Sequence, residues 1–179
     1  MLTGLAPLVS NRTRLLILGS FPGAASLSAQ QYYAHPQNQF WRILQAIWPF
    51  NPMDTGACSY EIRSDWLLAR GLGLWDVYAA CEREGSLDAR IRAAQLNDFA
   101  GLARCCPQLQ AIAHNGGESF KHAPVVRATL DAGLALDRDS PGVSISFHKL
   151  PSTSPAHAAM GFERKLDAWR TVFETHGLV

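Results

Sequence analysis

Long apolar runs, paired cysteines and, over two stretches, acidic residues are what this sequence is short of, and each shortage removes a class of explanation. No apolar stretch approaches the roughly 20 residues that a membrane span needs, and Met1-Leu-Thr-Gly-Leu5 lacks the basic-then-apolar plan of a signal peptide. A cytoplasmic chain with no membrane partner is the expectation. The four cysteines stand at 58, 81, 105 and 106, and the adjacent Cys105-Cys106 does not suit zinc or iron–sulfur ligation. They read as reduced structural thiols, so neither a metal nor another cofactor is expected. There is also no G-x-S-x-G elbow, Walker loop or G-x-G-x-x-G fingerprint, which leaves esterase-like, nucleotidase and dinucleotide readings without their residues.

Acid is scarce in a patterned way. The first acidic residue is Asp54, and none occurs from Ser140 to Phe162. Before Asp54 stand Arg12, Arg14 and Arg42; the second stretch holds His148, Lys149 and His157. A net charge of +1 is a poor argument for a polyanionic partner. If the two acid-free stretches converge, however, they form a face that phosphates approach without repulsion. Partial burial is the plainer account of the same scarcity.

At 179 residues, 47% hydrophobic and 17% charged, residues 1–179 fit one domain with a sizeable core. Arg14-Leu-Leu-Ile-Leu-Gly19 reads as a strand buried on both faces, and Asn38 to Trp48 as a helix with Asn38 at its N-cap. Tyr60 to Arg70 reads as a helix, Gly73 to Tyr78 as a strand, and Asn97 to Leu102 as a short helix. Leu109 to Ala113 is a third strand, Glu118 to Ala132 a helix, Val143 to Phe147 a fourth strand, and about Ala158 to Thr175 a last helix. Strands alternating with helices predict an α/β fold, a three-layer α/β/α arrangement around a central, mainly parallel four-stranded sheet. Ligands of such sheets sit beyond the carboxyl ends of the strands.

Two segments lie there. Gly19-Ser-Phe-Pro-Gly23, followed by Tyr32-Tyr-Ala-His-Pro-Gln-Asn-Gln-Phe-Trp41, joins the first strand to the first helix. Lys149-Leu-Pro-Ser-Thr-Ser-Pro-Ala-His157 is a rigid loop between the last strand and last helix. The first segment resembles the opening motif of the mismatch-specific and thymine-DNA glycosylases, a G-x-N-P-G turn followed by a His-Pro-x-Asn-x-Phe-Trp-like run. Together with Gly73-Leu-Trp-Asp-Val77, Gly85-Ser-Leu-Asp88 and Leu150-Pro-Ser-Thr-Ser-Pro-Ala156, it is more similar still to the hypoxanthine-DNA glycosylase branch of the uracil-DNA glycosylase superfamily. The resemblance runs roughly from Arg14 to Trp169. It implies a uracil-DNA glycosylase-like fold, damaged DNA as partner, a monomer, and hydrolysis of the N-glycosidic bond of a deaminated base. Hypoxanthine is the first candidate and uracil or a mismatched base the alternative. A non-catalytic DNA- or nucleotide-binding module on the same fold competes with these.

The resemblance also assigns roles. Catalysis falls to the asparagine of the His-Pro-x-Asn run, here Asn38, whose amide could bond the base or hold the attacking water. Where mismatch-specific enzymes keep a catalytic asparagine in the turn, this chain has Phe21, beside Ser20. A phenyl ring cannot orient water but can stack on an extruded base; Tyr33 is a second candidate wall, and core packing explains either equally well. Trp75 and Asp76 fall where other branches keep a base-recognition asparagine, and Asp76 could serve as general base or as a cap. Asn115 could read a base edge or belong to an ordinary Asn-Gly-Gly turn. In the second loop Ser152, Thr153 and Ser154 are candidate phosphate ligands beside Lys149, with Ala156 or His157 as a wedge into the duplex; a serine-rich helix cap is the alternative. Of three lysines only Lys149 is near a motif, so no Schiff-base lyase step is expected.

Overall fold

The computed structural model describes residues 1–53, 59–135 and 144–179. Asp54, Cys58, Ser140 and Val143 therefore lie outside the described residues. A short β1 (Leu2–Thr3) precedes β2 (Leu15–Gly19), α1 (Ala24–Ala29), α2 (Phe40–Ile47) and α3 (Tyr60–Leu68). Next come β3 (Leu72–Asp76), β4 (Tyr78–Glu82), β5 (Arg92–Leu96), α4 (Phe99–Cys105) and β6 (Ala111–Asn115). The chain ends with α5 (Gly117–Phe120), α6 (Ala123–Ala135), β7 (Ser146–Leu150) and α7 (Phe162–Thr175).

The central sheet has the order β3-β2-β6-β7, and every pairing is parallel. β2 is central and buried along its whole length, as expected of an apolar run with no alternation. Its side chains split by parity. Leu15 and Ile17, with Leu72, Leu74, Ala111 and Ala113, pack under Phe40 and Leu44 of α2, Leu67 of α3, and Trp169 and Phe173 of α7. Leu16 and Leu18, with Trp75 and Ile112, pack under Phe99 and Leu102 of α4 and Val126 and Leu130 of α6. Two helical layers thus cover one sheet. Register aligns Gly19 with Asp76 and Asn115 with Leu150, so the strands finish along one edge.

Departures from the sequence reading have local causes. The strand expected over Gly73 to Tyr78 divides after Asp76: Val77 N–H donates to Gly19 O at 2.9 Å, and Tyr78 opens a second sheet, antiparallel and ordered β1-β4-β5. β5 is exposed throughout and carries no periodic signal. The helix expected over Glu118 to Ala132 breaks at Lys121 and His122, and Pro124, which has no N–H to give, sits in the first turn of α6. The polar loop after Gly23 contains α1, and the last helix begins at Phe162 rather than Ala158. The fourth strand runs from Ser146, three residues later than its expected start.

Candidate active site

Beyond the aligned strand ends lies a cleft of about 340 Å³, within the range of roughly 300–1,000 Å³ usual for small-ligand sites. Gly19, Asp76 and Asn115 come to it from the ends of β2, β3 and β6. The turn Ser20–Gly23, the segment containing Tyr33, His35 and Asn38, the β4–β5 hairpin with Ser86 and Asp88, and the loop from Ser152 to His157 form its walls. The two acid-free stretches do converge here. The cleft is nevertheless not acid-free, because strand and hairpin bring Asp76 and Asp88 into it.

Asp76 is the most unusual of these groups. It is 5% exposed, and its Oδ2 is buried without a hydrogen-bond partner. Burial, reinforced by the nearby Asp88 and opposed by Arg83, pushes its carboxyl up to about 7. Gly19 makes the placement possible, since a Cβ there would collide with Asp76 Oδ1. Asp88, in the Gly85-Ser-Leu-Asp88 segment, received no role from the sequence; it accepts a hydrogen bond from Ser20 Oγ at 2.7 Å. Burial raises its carboxyl too, and the Ser20 hydroxyl counters that. Arg83 steadies this wall by donating to Pro22 O and Gly85 O while lying 5.0 Å above the Phe21 ring.

Asn38 lines the cleft, half-buried. Its Oδ1 accepts from Phe40 N–H at 3.0 Å, a turn that starts α2, whereas Gln39 occupies the N-cap position itself. Only the oxygen is used, so the Nδ2 donors stay available.

Asn115 is spent differently. Its Nδ2 donates to Thr153 Oγ1 at 2.9 Å and to Tyr33 OH at 3.1 Å, and its Oδ1 accepts from Thr153 N–H at 2.9 Å. The amide bolts the end of β6 to the second loop. Thr153 is fully buried in that bolt and cannot serve as a phosphate ligand. Ser152 and Ser154 remain at the cleft; their hydroxyls accept from Ser154 N–H and Ala156 N–H respectively.

Ala156 and His157 are exposed at the rim. The His157 carbonyl accepts from Lys165 Nζ at 2.9 Å, a lysine 1% exposed on α7. Lys165 escaped the sequence reading, although its place on the apolar stripe Phe162, Leu166, Trp169 and Phe173 of α7 marks it as buried. Lys149, by contrast, is exposed on β7, its Nζ 5.8 Å from the centre of the Phe120 ring, and does not line the cleft.

Of the aromatic candidates, Tyr33 and Phe21 line the cleft. Tyr33 has a left-handed backbone, φ 54°, and stacks on Phe40 with ring centres 3.9 Å apart. Such a conformation in a non-glycine residue is strained and persists where the surroundings enforce it. Phe21 is mostly sunk in the core beside α4 and α6. Trp75 is not brought to the cleft: it packs edge-on against Phe99 at 5.3 Å, one residue out of phase with Asp76 on β3. Among the described residues, no group of three or more His, Cys, Asp or Glu is placed to hold a metal, and no helix is long and apolar enough to cross a membrane.

Comparison with known proteins gives a concordant answer. Residues 6–173 match the family model of the uracil DNA glycosylase superfamily. Two similar relatives are named hypoxanthine DNA glycosylase. The one from Methanosarcina acetivorans is 34% identical over 170 residues, 95% of this chain and 96% of the relative. The one from Methanosarcina barkeri is 38% identical over 125 residues, 70% and 77%. A solution NMR structure from M. acetivorans, of a protein provisionally described as a uracil DNA glycosylase, superposes with a TM-score of 0.77 at 31% identity, covering 98% of both chains. A three-layer α/β/α fold with its cleft at the strand ends, matched over nearly its whole length, places this chain in the uracil DNA glycosylase superfamily.

Proposed function

We propose that this chain hydrolyses the N-glycosidic bond of a deaminated base in DNA, with the hypoxanthine of deoxyinosine as its main target. The observation that carries the reading is the near full-length similarity to a relative named for that activity, in a chain whose strand-end cleft has room for one extruded base. A base inside a duplex is out of reach, and extrusion costs least where pairing is already weak. In the cleft, water attacks the sugar carbon as the carbon–nitrogen bond breaks, and the bonding electrons leave with the base. Free base and an abasic site result. The enzyme must stabilise a sugar cation and a base anion together. Asn38 suits that task because its Nδ2 is free to donate to the departing base. Ser152 and Ser154 hold phosphates beside the flipped nucleotide, and Ala156 or His157 fills the gap that it leaves.

No lysine lines the cleft among the described residues, which supports hydrolysis by water without a covalent lyase step. The test uses matched duplexes bearing hypoxanthine, uracil, xanthine or no lesion, treated with hot alkali to reveal abasic sites, with Asn38→Ala in parallel. Hypoxanthine release that falls about 10²–10³-fold in the variant is the expected result. Absence of release from every lesion would overturn the reading in favour of a non-catalytic DNA-binding module.

A further inference from the structure

An extruded base leaves a gap in the stack, and the base falls back unless something takes the vacated place. Water fills such a gap poorly, because the bases on either side present apolar faces. Proteins that open a base step insert an apolar side chain, leucine among them. The loop from Ser152 to His157 is thinly supplied for this: Ala156 carries one methyl group and His157 a polar ring.

Leu87 carries the side chain that the loop lacks. It is 51% exposed, and of the large hydrophobic residues left exposed among the described residues it alone lines the cleft. A lone exposed leucine is ordinary on a protein surface; the place and support of this one are not. The hairpin that bears it follows β3, and the Ser152–His157 loop follows β7, so the two walls belong to opposite edges of the sheet.

The hairpin is braced on both sides of Leu87. Before it, Ser86 Oγ accepts from Ala24 N–H at 2.9 Å, and Arg83 donates to Pro22 O and Gly85 O. After it, Asp88 accepts from Ser20 Oγ at 2.7 Å, and the Leu87 carbonyl accepts from Arg90 N–H at 3.0 Å to start a 3₁₀ turn over Asp88–Arg90. Ile91 then packs against the core beside α4 and α6. Both neighbours of Leu87 thus spend their polar groups on the chain, and the Asp88 carboxylate, which would repel phosphate, is tied to Ser20. Glu84, Ala89 and Arg90 are exposed on the same hairpin but do not line the cleft. A rigid mount that holds an isobutyl group in water forgoes the burial that the hydrophobic effect favours.

Building on the glycosylase reading, we infer that Leu87 is a second wedge, entering the stack of the damaged duplex from the hairpin side while the Ser152–His157 loop closes on the gap from the other. It touches neither the reacting carbon nor the departing base. It acts as a positioning residue, by keeping the extruded nucleotide from returning to the helix. Its contribution exists only where there is a stack to enter, and it grows with the strength of the pair that must be opened.

The experiment measures kcat/KM for hypoxanthine release by wild type, Leu87→Ala and Leu87→Met on one deoxyinosine oligonucleotide. The oligonucleotide is presented single-stranded, paired with cytosine across from the lesion, or paired with a tetrahydrofuran abasic analogue there. Leu87→Ala should lose about ten- to a hundredfold on the cytosine duplex, less on the abasic duplex, and no more than about twofold on the single strand. Leu87→Met, apolar and of similar volume, should recover most of the duplex rate. Equal losses on all three substrates, or an unchanged rate on the cytosine duplex, would overturn the inference. Should single strands not be cut, the two duplexes carry the comparison, and equal losses on them overturn it. If Leu87→Ala does not fold, Leu87→Asn, of similar reach but polar, is read in the same way. Wild type that releases hypoxanthine from none of the substrates fails the glycosylase reading itself, which separates the two failures.

Discussion

Asn115 and Asp76 stand at the ends of neighbouring parts of one sheet, both nearly buried, both polar, both lining the same cleft. Asn115 spends both N–H donors and one acceptor lone pair inside the chain, in three hydrogen bonds to Tyr33 and Thr153. Asp76 has a bare carboxylate oxygen. A polar group whose bonds are made within the chain holds the chain together; one whose bonds are unmade is held in readiness for something outside it. Burial alone distinguishes neither.

The largest effect expected from breaking this contrast is at the Asn115 end. Asn115→Ala strands the Thr153 N–H and frees the second loop, so unfolding by denaturant should show a loss of about 2–4 kcal/mol, with base release falling as the loop loses its position. Asp76→Asn should act in the opposite direction on stability. The folded-state pKa of about 7 lies above the unfolded value. The stability tied to this group is therefore full below about pH 4 and is lost as pH rises through about 7. Melting curves of the variant should match wild type near pH 4 and exceed it near pH 8 by on the order of a few kcal/mol; an equal pH dependence in both would show that the carboxyl is not held against ionisation. The smallest stability change is expected at Lys165→Met, which keeps the packing against α7 and deletes only the bond to the His157 carbonyl. Stability should move by less than about 1 kcal/mol, while KM for damaged duplex rises because the loop from Ser152 to His157 is no longer anchored at its end.

Much of the scaffold is legible in the sequence because it is written locally. Leu15 to Leu18 between Arg14 and Gly19 can only be a doubly buried strand, and the alternation of strands with helices predicts the parallel sheet. β5 is not legible, since Arg92-Ala-Ala-Gln-Leu96 is exposed and borrows its strand state from pairing with β4. The site divides along the same line. The turn at Gly19 to Gly23 and the run to Asn38 announce themselves by their residues. Asn115 could not announce its duty, because Thr153 lies 38 positions away. Trp75 and Asp76 look alike as candidates until strand parity sends them to different layers. Lys165 is hidden by the habit of reading lysine as surface, though the stripe around it says otherwise.

Gly19 faces Asp76 across paired strands with space for a hydrogen atom and nothing larger. These two positions therefore impose an order on change. A side chain can appear at residue 19 only after residue 76 has been shortened, whereas residue 76 can vary while residue 19 stays glycine. A lineage that gave up the carboxylate could later fill the gap, and once it had done so the way back would be closed, because restoring an aspartate at residue 76 would first require the glycine again.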